Sequence, residues 1–288
     1  MSKSKDRIRD SQLQYKHQLG QNFIYDDDLL EALAVASGIG PEEDILEIGP
    51  GAGTLTRHLS RHAHFVRSIE LDERLIPLTR AYLESCPNTE IIQGDVLTAD
   101  LEAITRDLRQ PVSVVANIPY YITTPLILRV TEGRPEVRSL ALMVQKEVAQ
   151  KLVSGPGQDG WGMLAVRCRY GFDTEIVMDV PAACFTPVPK VDSAFVRMQR
   201  RDRPPVQPAC EADFFRIAQA AFALRRKTMT NGLCAALHME RSEALSLMEK
   251  AGLDPRVRGE TLTLEELSCL ADAYTAARKE AMECRKPE

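Results

Sequence analysis

Three short stretches of this chain hold residue types whose spacing suits chemistry. In "ILEIGPGAGTLT", Gly49, Gly51 and Gly53 stand where an apolar run gives way to a helical pattern. Glycine there permits positive φ and lets a ligand approach the backbone closely. The spacing is GxGxG and not the GxGxxG of the dinucleotide fingerprint, so a pyrophosphate is not the expected ligand. Two acids follow at the ends of later apolar runs. Glu70 lies about twenty residues beyond the loop, where a carboxylate can accept from both hydroxyls of a ribose. Asp95 ends the next run, where it can accept from an adenine amino group. A solvent-facing carboxylate at a strand end is the plain alternative for either acid; in register with the loop, the pair points to a nucleotide-like cofactor.

The third stretch is "VVANIPYYITTPL", residues 114–126. An apolar run ends there on Asn117, followed by Ile118, Pro119 and Tyr120. The exocyclic amine of a nucleobase is a poor nucleophile because its lone pair is delocalised into the ring. Two acceptors on its N–H groups draw the nitrogen toward pyramidal geometry and free that pair. The Asn117 side-chain oxygen is one acceptor, and the Ile118 carbonyl, fixed by Pro119, is the other. Tyr120 can stack on the base and favour the positive charge that develops on nitrogen. No strong general base is needed, since the alkylated ammonium loses its proton readily. The competing reading is an Asn-Pro turn with its aromatics packed on the core. A base presented this way must be flipped out of its stack.

These residues need strand ends to hold them. Strand-like runs cover residues 44–49, 64–71, 89–95, 112–117, 139–145, 171–180 and 194–200, with helical patterns between the earlier ones. Strand–helix alternation implies a parallel sheet covered on both faces. The late runs lack a long helix between them, which implies an antiparallel edge. In "DDLLEALAVAS", Asp26 or Asp27 is expected to cap a helix. Near "RDRPPVQPAC" the texture changes to a proline-rich linker, and three helical stretches follow, beginning with the long "EADFFRIAQAAFALRRKTMTNGLCAAL". The expected division is a sheet-bearing domain over residues 1–200 and a helical domain over 201–288.

Composition excludes little else. The chain has 288 residues, 44% of them hydrophobic and 27% charged, with no run long enough to span a membrane. Seven cysteines without a CxxC pair favour neither a zinc site nor disulfides, so a reducing cytoplasm is expected. His58 and His62 read as a solvated helix face, with no acid or cysteine at ligand spacing to suggest a metal. Trp161, between Gly160 and Gly162, is either a loop ring facing RNA or a packing residue. A net charge of −5 argues mildly against a nucleic-acid partner. Local basic clusters, among them Arg225, Arg226 and Lys227, still allow one.

The ordered motifs "LGQNFI", "EIGPGAGTLT", "IELD", "GDVL", "NIPYYITTPL", "LMVQKEVAQKLV", "CFTPVPKVDSAFVRM" and "FFRIAQAAFALRRKTMTNGL" resemble the ribosomal RNA adenine dimethyltransferase family. The likeness runs from about Gly20 to about Tyr274. It is strongest to the branch that dimethylates two adjacent adenines near the 3′ end of small-subunit rRNA during ribosome biogenesis. Gly20 and Thr124-Pro125-Leu126 favour that branch over the resistance enzymes that act on large-subunit rRNA. The resemblance implies a Rossmann-like class I S-adenosylmethionine methyltransferase sheet, mostly parallel with an antiparallel edge, plus a small all-helical C-terminal domain. It implies cofactor contacts at Asn22, Ile24, Gly49, Gly51, Glu70, Asp95 and Asn117, and catalytic positions at Asn117, Pro119 and Tyr120. Phe185 in "FTPVPKVDS" would be a second stacking ring, with a core phenylalanine as the competing reading. The implied partners are small-subunit rRNA and the assembling subunit. Nothing in the sequence suggests an obligate dimer, and a monomer is expected. Arg225, Arg226 and Lys227 are expected to grip RNA. The segment "YKHQL" and Asp159 are less basic than is usual in the family.

Overall fold

Apolar runs buried on both faces require neighbouring strands and covering helices, and the computed structural model has both. It describes residues 22–131, 136–224 and 226–283. Arg225, Gly20 and the basic residues of the first ten positions lie outside them. In chain order the first elements are β1 (Phe23–Ile24), α1 (Asp27–Ala36), β2 (Asp44–Ile48), α2 (Thr54–His62), β3 (Phe65–Glu70) and α3 (Ile76–Tyr82). Next come β4 (Thr89–Gln93), α4 (Leu101–Thr105), β5 (Val112–Asn117), α5 (Thr123–Thr131), β6 (Val137–Gln145) and α6 (Lys146–Val153). After these lie α7 (Met163–Gly171), β7 (Phe172–Val180), β8 (Phe185–Thr186) and β9 (Ser193–Arg200). Asp26 is the cap chosen for α1, accepting from the Asp28 and Leu29 N–H groups at 3.0 and 3.1 Å.

Seven strands form one sheet in the order β4-β3-β2-β5-β6-β9-β7. The first five run parallel, and β9 pairs antiparallel with β6. β2 and β5 are adjacent, and strand order reverses between them, the position where open α/β sheets bind ligands. All five residues of β2 are buried, as are the first five of β5. A separate two-stranded sheet pairs Phe23 with Thr186 and Ile24 with Phe185.

The remaining helices are α8 (Glu211–Ala223), α9 (Met229–Leu237), α10 (Arg241–Lys250) and α11 (Leu264–Glu283). The stretch expected as one long helical segment is two helices: α8 ends at Ala223, α9 begins at Met229, and Arg226 between them adopts φ +64°. Asp213, 1% exposed, ties α8 to α11 through Thr275 at 3.0 Å and through Arg278.

The chain forms two compact units, and residue 200 is not a simple boundary between them. Among the described residues, those up to Ala149 group with Asp173–Arg200, whereas Gln150–Phe172 group with those from Arg201 onward. Trp161 gives the physical reason. Its indole N–H donates to the Leu262 carbonyl at 3.2 Å, and its ring meets Phe222 edge-on at 6.3 Å. It is a buried packing residue, which answers the question its sequence left open.

Candidate active site

The loop after β2 begins at the sheet and is held by its own backbone. The Gly49 N–H donates to the Ile69 carbonyl at 3.0 Å and the Gly53 N–H to the Pro50 carbonyl at 2.8 Å. Gly51 needs its glycine twice over. Its φ is +56°, and a Cβ there would lie 2.7 Å from the Phe23 ring of β1. Phe23 therefore covers the loop at a distance no other side chain would allow.

Glu70, 5% exposed, ends β3 and faces this loop. One carboxylate oxygen accepts from the Gly51 N–H at 3.1 Å, the other from the Asp72 N–H at 2.8 Å. Burial raises its pKa, and the two backbone donors oppose that rise. Asp95 follows β4 and accepts from the Leu97 N–H at 2.9 Å. Asn117 ends β5, and its amide nitrogen donates to the Asn22 carbonyl at 3.3 Å. A carbonyl only accepts, so the amide nitrogen must face Asn22 and the oxygen is turned away. That oxygen has no hydrogen bond among the described residues.

Asn22, Ile24, Gly49, Gly51, Glu70, Asp95, Asn117 and Pro119 all line one cavity. Tyr120 does not line it; its ring is half-buried alongside, and its hydroxyl shares a 2.7 Å hydrogen bond with Ser193. Phe185 requires a correction. It is 2% exposed and packs in the core with Ile24, Leu30, Leu33 and Phe195, because pairing of β1 with β8 draws it inward. The core reading holds for it, and no open ring face is offered to a base.

His58 and His62 also depart from expectation. His58 is 4% exposed, and its ring lies 2.8 Å from one oxygen of Glu31, whose other oxygen is 2.6 Å from His62. They form a clasp between α1 and α2 and not a solvated face. Hydrogen bonds from His58 and then His62 hold the Glu31 carboxyl down at about 2.

Sequence reasoning missed Glu47. It is the last residue but one of β2, is 2% exposed, and lines the same cavity. One of its oxygens accepts from the hydroxyls of Thr56 at 2.6 Å and Ser68 at 2.7 Å. Burial nevertheless pushes its pKa up to about 7, with the charge of Glu70 adding to the rise. The available signal was an acid flanked by Leu46 and Ile48 within β2, whose other acid, Asp44, stands at the strand's start. A folded pKa above the ordinary 4.5 means that the protonated form stabilises the fold. That contribution is complete below about pH 4.5 and is lost as pH rises through about 7. Glu47→Gln, neutral throughout, should match wild type in Tm near pH 5 and exceed it increasingly toward about pH 8. A gap that does not change with pH would contradict the assignment.

The sheet order, the glycine loop with its strand-end acids and the asparagine at the end of β5 define a class I methyltransferase fold. The model of the family described as ribosomal RNA adenine dimethylase matches residues 12–269, and the chain belongs to that family. The protein named ribosomal RNA small subunit methyltransferase A from Geobacillus thermodenitrificans is 42% identical over 265 residues, 90% of each chain. Its namesake from Alkaliphilus metalliredigens is 38% identical over 278 residues, 96% of this chain and 97% of its own. Among solved structures, the 23S rRNA methyltransferase ErmE is 28% identical with a TM-score of 0.69, covering 87% of this chain and 98% of its own. A dimethyladenosine transferase from Plasmodium falciparum shares the fold with a TM-score of 0.75 at 22% identity, over 90% and 98% of the two chains.

Proposed function

We propose that this chain dimethylates the N6 amines of two adjacent adenosines near the 3′ end of small-subunit rRNA, using S-adenosylmethionine, as a step in small-subunit biogenesis. The observation that carries this reading is the Asn117 amide. Its nitrogen is tied to the Asn22 carbonyl, so its free oxygen can accept from a base amine at the cavity shared with the glycine loop. The cavity suits the cofactor in chemistry. The tight Gly51 turn under Phe23 leaves a backbone surface for the methionine part, and Glu70 and Asp95 stand at strand ends for the ribose and adenine. When bound, the cofactor supplies the electrophilic methyl group. Asn117 and the Ile118 carbonyl hold the amine, Pro119 fixes that carbonyl, and Tyr120 supports the base.

The helical unit, in this reading, contributes RNA contacts through Arg226 and Lys227. Both are exposed and without an acidic partner among the described residues. Neutralising the two together should weaken binding to small-subunit rRNA and flatten its salt dependence. Unchanged affinity would rule out that role. No helix among the described residues is long and apolar enough to cross a membrane, and we place the chain in the cytoplasm as a monomer.

The deciding experiment is methyl transfer from labelled S-adenosylmethionine to small subunits that lack these modifications, mapped by primer extension. Stalls at two adjacent adenines near the 3′ end are expected. Label confined to large-subunit rRNA would move the activity to the reaction named for ErmE. Absence of label in either rRNA, with cofactor bound, would leave an RNA-binding protein and no enzyme.

A further inference from the structure

The half-buried Tyr120 side chain is anchored by its backbone at one end and by its hydroxyl at the other. The backbone begins a single 3₁₀ turn, Tyr120–Ile122, where β5 has ended. The rotation of a tyrosine ring about its second torsion is soft. The axis of that torsion passes through the hydroxyl oxygen, so the 2.7 Å bond to Ser193 leaves the rotation itself free and fixes instead where the far end of the ring lies. Neither hydroxyl has another side-chain partner among the described residues.

Ser193 is a rigid anchor. It is fully buried, opens β9 and stands opposite Gln145 on β6. The residue before it is fixed twice: the Asp192 carbonyl accepts from the Lys146 N–H at 3.0 Å, and its carboxylate accepts from the Ala182 N–H at 2.9 Å. Resting on the function proposed above, we infer that Ser193 is a positioning residue for the reaction. It sets where the far end of the Tyr120 ring lies against the target base and ties that position to the return of the "FTPVPKVDS" loop into the sheet. Sequence alone gives no hint of the pair, since 73 residues separate them.

The test compares Ser193→Ala, Tyr120→Phe, the double variant and Ser193→Thr in methyl transfer to undermethylated small subunits. Cofactor Kd by calorimetry and Tm are measured alongside. Tyr120→Phe removes only the hydroxyl and keeps the ring, so it remains informative even where Ser193→Ala fails to fold. Each single removal should lower kcat roughly tenfold, because small misplacements of a reacting geometry cost rate steeply. KM and cofactor Kd should stay within about twofold, and the double variant should fall no further than the worse single. Ser193→Thr, which keeps a hydroxyl, should recover most of the rate. Wild-type kcat in Tyr120→Phe, multiplying losses in the double variant, or losses that follow Tm would each overturn the inference. An inactive wild type would instead overturn the functional reading, and this inference with it.

Discussion

Asn117→Ala should lower the rate of methyl transfer about 100- to 1000-fold, the usual cost of losing one preorganised hydrogen-bonding group at a reacting centre. The reason lies in how the amide is held. Its nitrogen is committed to the Asn22 carbonyl, so the oxygen enters the reaction already oriented. Alanine removes that acceptor and leaves the Asn22 carbonyl without this donor. Cofactor affinity should fall only severalfold, because the glycine loop, Glu70 and Asp95 remain in place. Asn117→Asp is the sharper companion. A carboxylate offers an acceptor to the amine, yet an ionised oxygen facing the Asn22 carbonyl cannot donate to it. The side chain must then turn, and activity should stay low. Single-turnover transfer with saturating cofactor separates this loss from binding. A rate within tenfold of wild type for Asn117→Ala would mean that the amine is activated elsewhere.

Much of the site was legible in the sequence because strand ends announce themselves. The seven runs read as strands match β2 to β7 and β9 within two residues at each end. Long buried parallel strands are continuous apolar runs bounded by turns. β1 and β8 escaped because two-residue strands have no periodicity to detect. Their pairing is also what sends Phe185 into the core, so one omission produced the other. His58 was misread for a related reason. Its partner Glu31 lies 27 residues upstream, and no local pattern records that α1 packs against α2. Glu47 and Ser193 follow the same rule: their roles depend on partners brought near by folding, at separations of 9 to 73 residues. Residue type and spacing disclosed which groups could do chemistry. The groups that orient them became visible only once the sheet had assembled.

Gly259→Ala should be the most destabilising single-methyl change in the helical unit, at about 3 kcal/mol. Gly259 opens the short turn before α11, and a Cβ there would lie 2.0 Å from the Ala221 carbonyl oxygen and 2.6 Å from its carbonyl carbon. Those are backbone atoms of α8, which cannot rotate aside as a flexible side chain would. Gly232 makes the same approach to the Ala220 oxygen from α9, at 2.3 Å, so two glycines brace consecutive carbonyls of α8. Gly252 separates the steric cost from the conformational one. Its φ is +70°, but nothing lies within 4 Å of an added Cβ. Gly252→Ala should therefore cost only the left-handed penalty, about 1 kcal/mol. Urea unfolding of the three alanine variants checks the order, and Gly259→Ala no worse than Gly252→Ala would contradict it. The position has a further consequence. The braced carbonyls belong to the last turn of α8, and Arg226 and Lys227 leave from the next few residues. Thr228 then bridges to Arg258, and the Met229 N–H donates to the Val257 carbonyl at 2.7 Å. The same close packing that stabilises the unit thus fixes the base of the basic turn. Gly259→Ala should consequently weaken rRNA binding even at temperatures where the variant remains folded, while cofactor affinity is unchanged.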